Sequence, residues 1–342
     1  MNLKQVSKAI VTILLIVAGT YLASARSFQG KQPPTKPDSK QTPKQKEDVL
    51  ELESGLIAID VIVTDAQGNF VRDLKETDFQ ILEDNRPQKI EFFDKGTHAE
   101  QRPLAAVFAL DRSGSIEPDK GQVMEQQESA KRFMELLDQE SEFAVVAFNN
   151  EIKILQGFTN DHHRIAQAFE KAAKVEGTTR IYDAVDRAIT MLKKVPVVKN
   201  GRRIRRVVIV VTDGYDSSSV INLRELLNRA NDASVTIYSI TIPNYLPLYN
   251  GKQQRALTLL DLSELIPHTG GMDYSADTYD FTPFFKSIKE ELAASYTLAY
   301  YPSTASRQDG KFHSINVKIS KPGVKLRQSR QGFSGPNTNK QK

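Results

Sequence analysis

The chain of 342 residues contains no cysteine and no tryptophan. The first absence excludes disulfide frameworks, thiolate metal sites, cysteine nucleophiles and a lipidated N-terminal cysteine, and it leaves the redox compartment unreadable. Histidine is sparse: His98, His162, His163, His268 and His313 form no H-E-x-x-H array. There is no G-x-S-x-G elbow and no Walker loop, so the sequence offers neither a recognisable nucleophile nor a phosphate cradle. A surplus of one charge is missing as well. The 46 Lys and Arg nearly balance 42 Asp and Glu, and two of the lysines, Lys4 and Lys8, belong to a segment with export character. Such a balance calls for no nucleic acid or other polyanion. The remaining composition, 39% hydrophobic and 26% charged, is that of a globular protein with room for one large domain and a smaller one.

Residues 1–25 read as a signal peptide: Lys4 and Lys8 precede an apolar run at 9–18, and Ala23-Ser24-Ala25 supplies a small-residue cleavage pattern before Arg26. The competing reading is an uncleaved anchor, because the apolar stretch approaches the roughly 17 residues a spanning helix needs. Membrane attachment is expected only in that case, and both readings place the protein outside the cytoplasm, periplasmic or secreted. Residues 26–53, rich in Pro, Lys, Gln and Ser, are expected to be a disordered linker.

An N-terminal β segment is expected over 54–100. Ile57, Ile59, Val61 and Val63 alternate, a turn follows at 65–69, and a second turn at 83–87 separates Phe79-Gln80-Ile81-Leu82 from Ile90, Phe92 and Phe93. Over 101–295 the pattern changes to continuous apolar runs at 105–110, 143–148, 207–211 and 235–242, the signature of strands buried on both faces. Helical spacing separates them: Val123, Ala130, Phe133, Met134 and Leu137, then Ile181, Val185, Ala188, Ile189 and Leu192. This alternation predicts an α/β fold with a doubly wound, mostly parallel sheet. A C-terminal β segment over 296–333, with Tyr296, Leu298 and Tyr300 alternating and Ile315, Val317 and Ile319 after an Asp309-Gly310 turn, is expected to pair with the N-terminal one in a small β subdomain. Residues 334–342 read as a disordered tail. Eight Lys or Arg and no acid follow Gly310, which reads as the solvated face of a strand plus that tail.

Chemistry concentrates at three places. The run 105–115 delivers Asp111 to the C-terminal end of a buried strand, with Ser113 and Ser115 two and four residues beyond, where open α/β sheets bind ligands. The run 207–214 does the same for Asp213, and two carboxylates at neighbouring strand ends repel unless a cation or a proton lies between them. Gly177-Thr178-Thr179 opens the helix carrying Tyr182-Asp183-Ala184. Each piece alone also fits ordinary loop and capping duty. Asp216 and Ser217 to Ser219 read as caps for a helix beginning near Asn222, and Arg202, Arg203, Arg205 and Arg206 as a solvated strand entrance. The loop 243–252, with Tyr245 and Tyr249, is either a partner-selecting or a self-packed surface loop.

Taken together, D-x-S-x-S, the Gly-Thr-Thr turn and T-D-G resemble the metal-ion-dependent adhesion site of von Willebrand factor type A (VWA) domains. The resemblance falls on Asp111, Ser113, Ser115, Thr179 and Asp213, with Thr179 matched because a Y-D-A stretch follows it. The block 79–84, Gly270-Gly271 and the strand 296–300 further resemble a VWA-related family abundant in Acidobacteria, which surrounds the VWA fold with β segments. Two carboxylates and three hydroxyls are hard ligands suited to Mg2+, with Mn2+ or Ca2+ as alternatives. In the family, the position left open on the metal accepts a carboxylate from a partner protein. The resemblance therefore implies a protein-binding, non-enzymatic role, with the dipole of a helix starting near Asp119 adding to the site. A structural envelope component with a purely stabilising metal, or a metal-dependent hydrolase, are the alternatives.

Overall fold

Alternating apolar residues begin the fold, in a computed structural model that describes residues 55–95, 102–113, 120–172, 177–213, 216–242, 245–247, 253–255, 262–276 and 278–335. The expected signal segment and linker (1–53) and most of the expected tail lie outside these residues, as do Ser115, Asp119 and Tyr249. Strand β1 (Ile57–Thr64) sends Ile57, Ile59, Val61 and Val63 into one core, as a period of two requires. Ala58 and Ile62 are buried on its other face. Asp65 closes the following turn, its Oδ1 accepting the N–H groups of Gln67 and Asn69 at 2.9 and 2.8 Å. Strands β2 (Phe79–Glu83) and β3 (Arg86–Gln88) form a hairpin on Asp84-Asn85, whose φ values of +48° and +64° are the left-handed pair of a type I′ turn. Strand β4 (Phe92–Asp94) ends the segment.

The middle of the chain alternates as expected. In order come β5 (Leu104–Asp111), α1 (Lys120–Glu135), β6 (Glu142–Phe148), β7 (Ile152–Thr159), α2 (His162–Lys171), α3 (Ile181–Leu192), the small ribbon β8 (Val198–Lys199) and β9 (Arg202–Arg203), then β10 (Arg205–Thr212) and α4 (Leu223–Ala233). After β11 (Val235–Thr241) a second ribbon, β12 (Tyr245–Pro247) and β13 (Gln253–Arg255), begins in the expected loop 243–252 and ends just past it, followed by α5 (Leu265–His268), β14 (Asp273–Ser275) and α6 (Thr282–Ala294). Six strands form one sheet in the order β14-β11-β10-β5-β6-β7, parallel except for β7 at the edge. Alternation along β5 explains why both faces are dry. Leu104, Ala106, Phe108 and Leu110 join Phe133, Phe169 and Phe285 on one side, while Ala105, Val107 and Ala109 join Ile181, Val185 and Leu226 on the other. Phe108 meets Phe169 and Phe285 edge-on at 5.2 and 5.8 Å, contacts worth about 0.5–1.5 kcal/mol each beyond area burial.

The last strands return to the first. With β15 (Tyr296–Tyr300), α7 (Thr304–Gln308), β16 (Phe312–Ile319), β17 (Lys325–Gln328) and β18 (Gly332–Ser334), the flanks build two antiparallel sheets, β17-β1-β15-β4 and β18-β16-β2-β3. Ile59 faces Leu298 and Ile81 faces Val317, so each end of the chain covers the edge the other exposes.

The basic cluster is not a solvated strand entrance. Arg203 donates to Asp60 Oδ1 on β1 at 2.7 Å, Arg205 lies 3.4 Å from the same oxygen, and Arg206 donates to the carbonyls of Ala233 and Val195. Thr297 completes the set, donating to Asp60 at 2.6 Å. Burial alone would raise the Asp60 pKa, but the adjacent Arg203 and Arg205 hold it far below the ordinary carboxylate value. The basic stretch after Gly310 is likewise partly internal: Arg327 pairs with buried Glu291 at 2.8 Å, and Arg330 is buried. The Gly270-Gly271 pair has a steric cause, since a Cβ on Gly271 would stand 1.8 Å from the carbonyl oxygen of Ile237 in β11.

Candidate metal centre

Adjacent parallel strands set the first two carboxylates. Leu110 pairs with Val211, so Asp111 at the end of β5 stands beside Thr212 at the end of β10, with Asp213 one residue further. Both aspartates are almost enclosed, 9% and 7% exposed. Thr212 Oγ1 donates to Asp111 Oδ2 at 2.6 Å, and the Ser113 N–H donates to Oδ1 at 2.8 Å. Burial, above all, pushes the Asp111 carboxyl up to about 6. The Thr212 and Ser113 hydrogen bonds oppose that rise, and the charge of Asp213 adds to it. Ser113 is buried against the same carboxyl. Ser115 lies outside the described residues.

Thr179 is brought to this end of the sheet by a clamp between two loops. Its N–H donates to Ser217 Oγ at 3.1 Å, and its carbonyl accepts the N–H groups of Ser217 and Ser218. These bonds use the Thr179 backbone and leave its hydroxyl out of them.

Asp216 Oδ1 accepts the N–H of Ile181 at 3.0 Å, and Ser219 Oγ accepts that of Asp183 at 3.1 Å. Asp216, Ser217 and Ser219 therefore satisfy the start of α3 rather than capping α4, which Asn222 caps itself through the N–H of Glu225. The N-cap of α3, Arg180, makes no side-chain cap bond, which is why donors of this helix start are met from another loop. Asp183 ties the clamp from the other side by accepting the N–H groups of Val220 and Ile221 and the guanidinium of Arg180. Burial raises the Asp183 pKa, but these bonds outweigh it and keep the carboxyl below its ordinary value.

Four of the five expected residues are in described, buried positions: Asp111, Ser113 and Asp213 at or just beyond the ends of β5 and β10, and Thr179 in the loop tied to the one that follows β10. Thr212, Asp216, Ser219 and Asp183 support them. Their signals were the hydroxyl beside Asp213 and the polar run 216–219, but both acquire meaning only when the strands are placed side by side. The donor set fits a hard divalent cation: two buried carboxylates and flanking hydroxyls, with burial making the Asp111 charge costly unless a positive charge offsets it.

Comparison with known families matches residues 106–265 to the von Willebrand factor type A domain. No curated protein matches the chain. Among solved structures, the conserved hypothetical protein BatB from Bacteroides thetaiotaomicron is 16% identical with a TM-score of 0.43, covering 56% of this chain and 97% of that one. A von Willebrand factor type A protein from Catenulispora acidiphila is 12% identical with a TM-score of 0.45, covering 77% and 75%. Proximal thread matrix protein 1 from the mussel byssus, solved with a zinc-occupied MIDAS motif, is 17% identical with a TM-score of 0.44, covering 59% and 48%. The matched span contains the parallel strands β5, β6, β10 and β11, the aspartates at the ends of β5 and β10, and the clamp that presents Thr179: the chain carries a von Willebrand factor type A domain.

Proposed function

We propose that this is an exported protein whose VWA domain binds an acidic group of a partner protein through a divalent cation, held by Asp111, Ser113, Ser115, Thr179 and Asp213. Mg2+ is the first choice of cation. The observation that carries the reading is the pair of nearly enclosed carboxylates at the ends of β5 and β10, with Asp111 displaced toward its protonated form. A resident cation would remove that conflict, and its charge would favour an incoming carboxylate at whatever position the protein leaves open. The roles divide accordingly: the aspartates neutralise the cation, the hydroxyls of Ser113, Ser115 and Thr179 complete its oxygen shell, and the loop clamp fixes Thr179. We assign 101–295 to this domain, with 54–100 and 296–333 as its β flank, 1–25 as export segment and 26–53 as linker.

The test is capture of partners from a cell-envelope extract on immobilised full-length protein, with magnesium or with chelator, beside Asp111→Ala. Magnesium-dependent capture that is lost in the folded variant supports the proposal. Equal capture by wild type, variant and chelated protein sinks it and favours a purely stabilising metal.

A further inference from the structure

A second group of ligand-type side chains lies on the flanking sheets. A carboxylate oxygen of Glu83, one of Asp84 and a ring nitrogen of His313 stand within 4.8 Å of one another. Glu83, the last residue of β2, is 4% exposed, and its Oε2 is enclosed without a hydrogen-bond partner among the described residues. A carboxylate taken from water with an oxygen unspent calls for a cation or a proton. The Tyr300 hydroxyl faces the same carboxylate, and its proton is held more tightly, first by burial and then by its hydrogen bond to Glu83.

The other two side chains are aimed at the same place. Asp84, in its left-handed turn position, accepts the Ser314 N–H at 2.9 Å through Oδ1, while its Oδ2 meets His313 Nδ1 at 2.7 Å. The opposite ring nitrogen, Nε2, lies 3.0 Å from Asp309 Oδ1, and the ring stacks on Phe333 with centroids 5.2 Å apart. As it stands, the ring donates through Nδ1 to Asp84 and through Nε2 to Asp309; a metal at Nδ1 would take the place of that one proton, with Asp309 still holding Nε2. Outer carboxylates orient metal-binding imidazoles in this way.

We propose that His313 Nδ1, Asp84 and Glu83 hold a divalent transition metal of the zinc class, with Asp309 as the positioning residue for His313. One nitrogen and two carboxylates suit zinc or manganese better than magnesium or calcium. Two tetrahedral zinc ligands stand about 3.3 Å apart, so the Asp84–His313 pair has to open slightly around the metal. Asp84, with a side chain 48% exposed, has the freedom to do so and leaves the site reachable from solvent.

The site is independent of the VWA centre, and its test keeps the two apart. The full chain carrying Asp111→Asn is titrated with zinc alone, followed by calorimetry and by the 15N signals of its histidine rings. The expected result is one zinc equivalent with a shift of the His313 ring nitrogens, lost in Glu83→Gln. Asp309→Asn, at a partly exposed position that leaves the core intact, is expected to weaken zinc by about 10- to 100-fold. Absence of zinc uptake, uptake with unmoved His313 signals, or affinity unchanged in both Glu83→Gln and Asp309→Asn overturns the proposal.

Discussion

Replacing Asp111 by the isosteric, uncharged Asn should stabilise the cation-free protein at neutral pH. The carboxyl is raised from 3.8 to about 6, chiefly by burial. Between these values the folded state binds more protons than the unfolded one, so stability falls as pH rises through this window and is level above it. The shift corresponds to about 3 kcal/mol at 1.36 kcal/mol per unit. Asn carries no such charge and escapes the loss, while its amide can still meet Thr212 and the Ser113 N–H. A cation stabilises by binding only the folded state, and below the raised pKa it must displace a proton from Asp111. Thermal melts in chelator and in millimolar magnesium, at about pH 5 and about pH 7.5, read both effects at roughly 2–4 °C per kcal/mol for a domain of this size. In chelator at the higher pH, Asp111→Asn should melt above wild type. The magnesium increment should be larger at the higher pH in wild type and absent in the variant. A variant that melts below wild type in chelator at the higher pH, or an equal wild-type increment at both pH values, refutes the reasoning.

Asp60→Ala leaves Arg203 and Arg205 without their shared carboxylate at the joint between β1 and β10, and should cost about 3–5 kcal/mol in chemical denaturation. A loss below about 1 kcal/mol would mean that the arginines find other partners. The double change Asp216→Ala and Ser219→Ala removes two acceptors at the start of α3, for about 1–2 kcal/mol in urea unfolding. The same variant should bind magnesium more weakly, because Thr179 is held by the same loop. Unchanged magnesium affinity would show that the clamp does not position the cation site.

The continuous runs that become β5, β6, β10 and β11 were legible because a strand covered on both faces must be apolar throughout, and such runs are too short for buried helices. The flanking sheets were legible from period two, and their pairing from the need to cover edges. What the sequence concealed depends on partners far along the chain. Arg203, Arg205 and Arg206 look like solvated charge until Asp60 and two backbone carbonyls are placed against them. Asp216 and Ser219 sit close to α4 in sequence, yet they serve α3, because capping from another loop follows from the sheet order rather than from proximity. His313 was one histidine among five, and its meeting with Asp84, 229 residues away, follows from β16 pairing with β2. The ribbon β12–β13 was hidden because three-residue strands carry too little periodicity to register.

Whether Asp111 and Asp213 bind one divalent cation at the ends of β5 and β10 can be read from calorimetric titration of magnesium into chelator-treated full-length protein. One site is expected in wild type, abolished in Asp111→Asn and in Asp213→Asn while both variants keep the circular dichroism of the folded chain. Magnesium binding of wild-type strength in either folded variant would contradict a cation held by both aspartates.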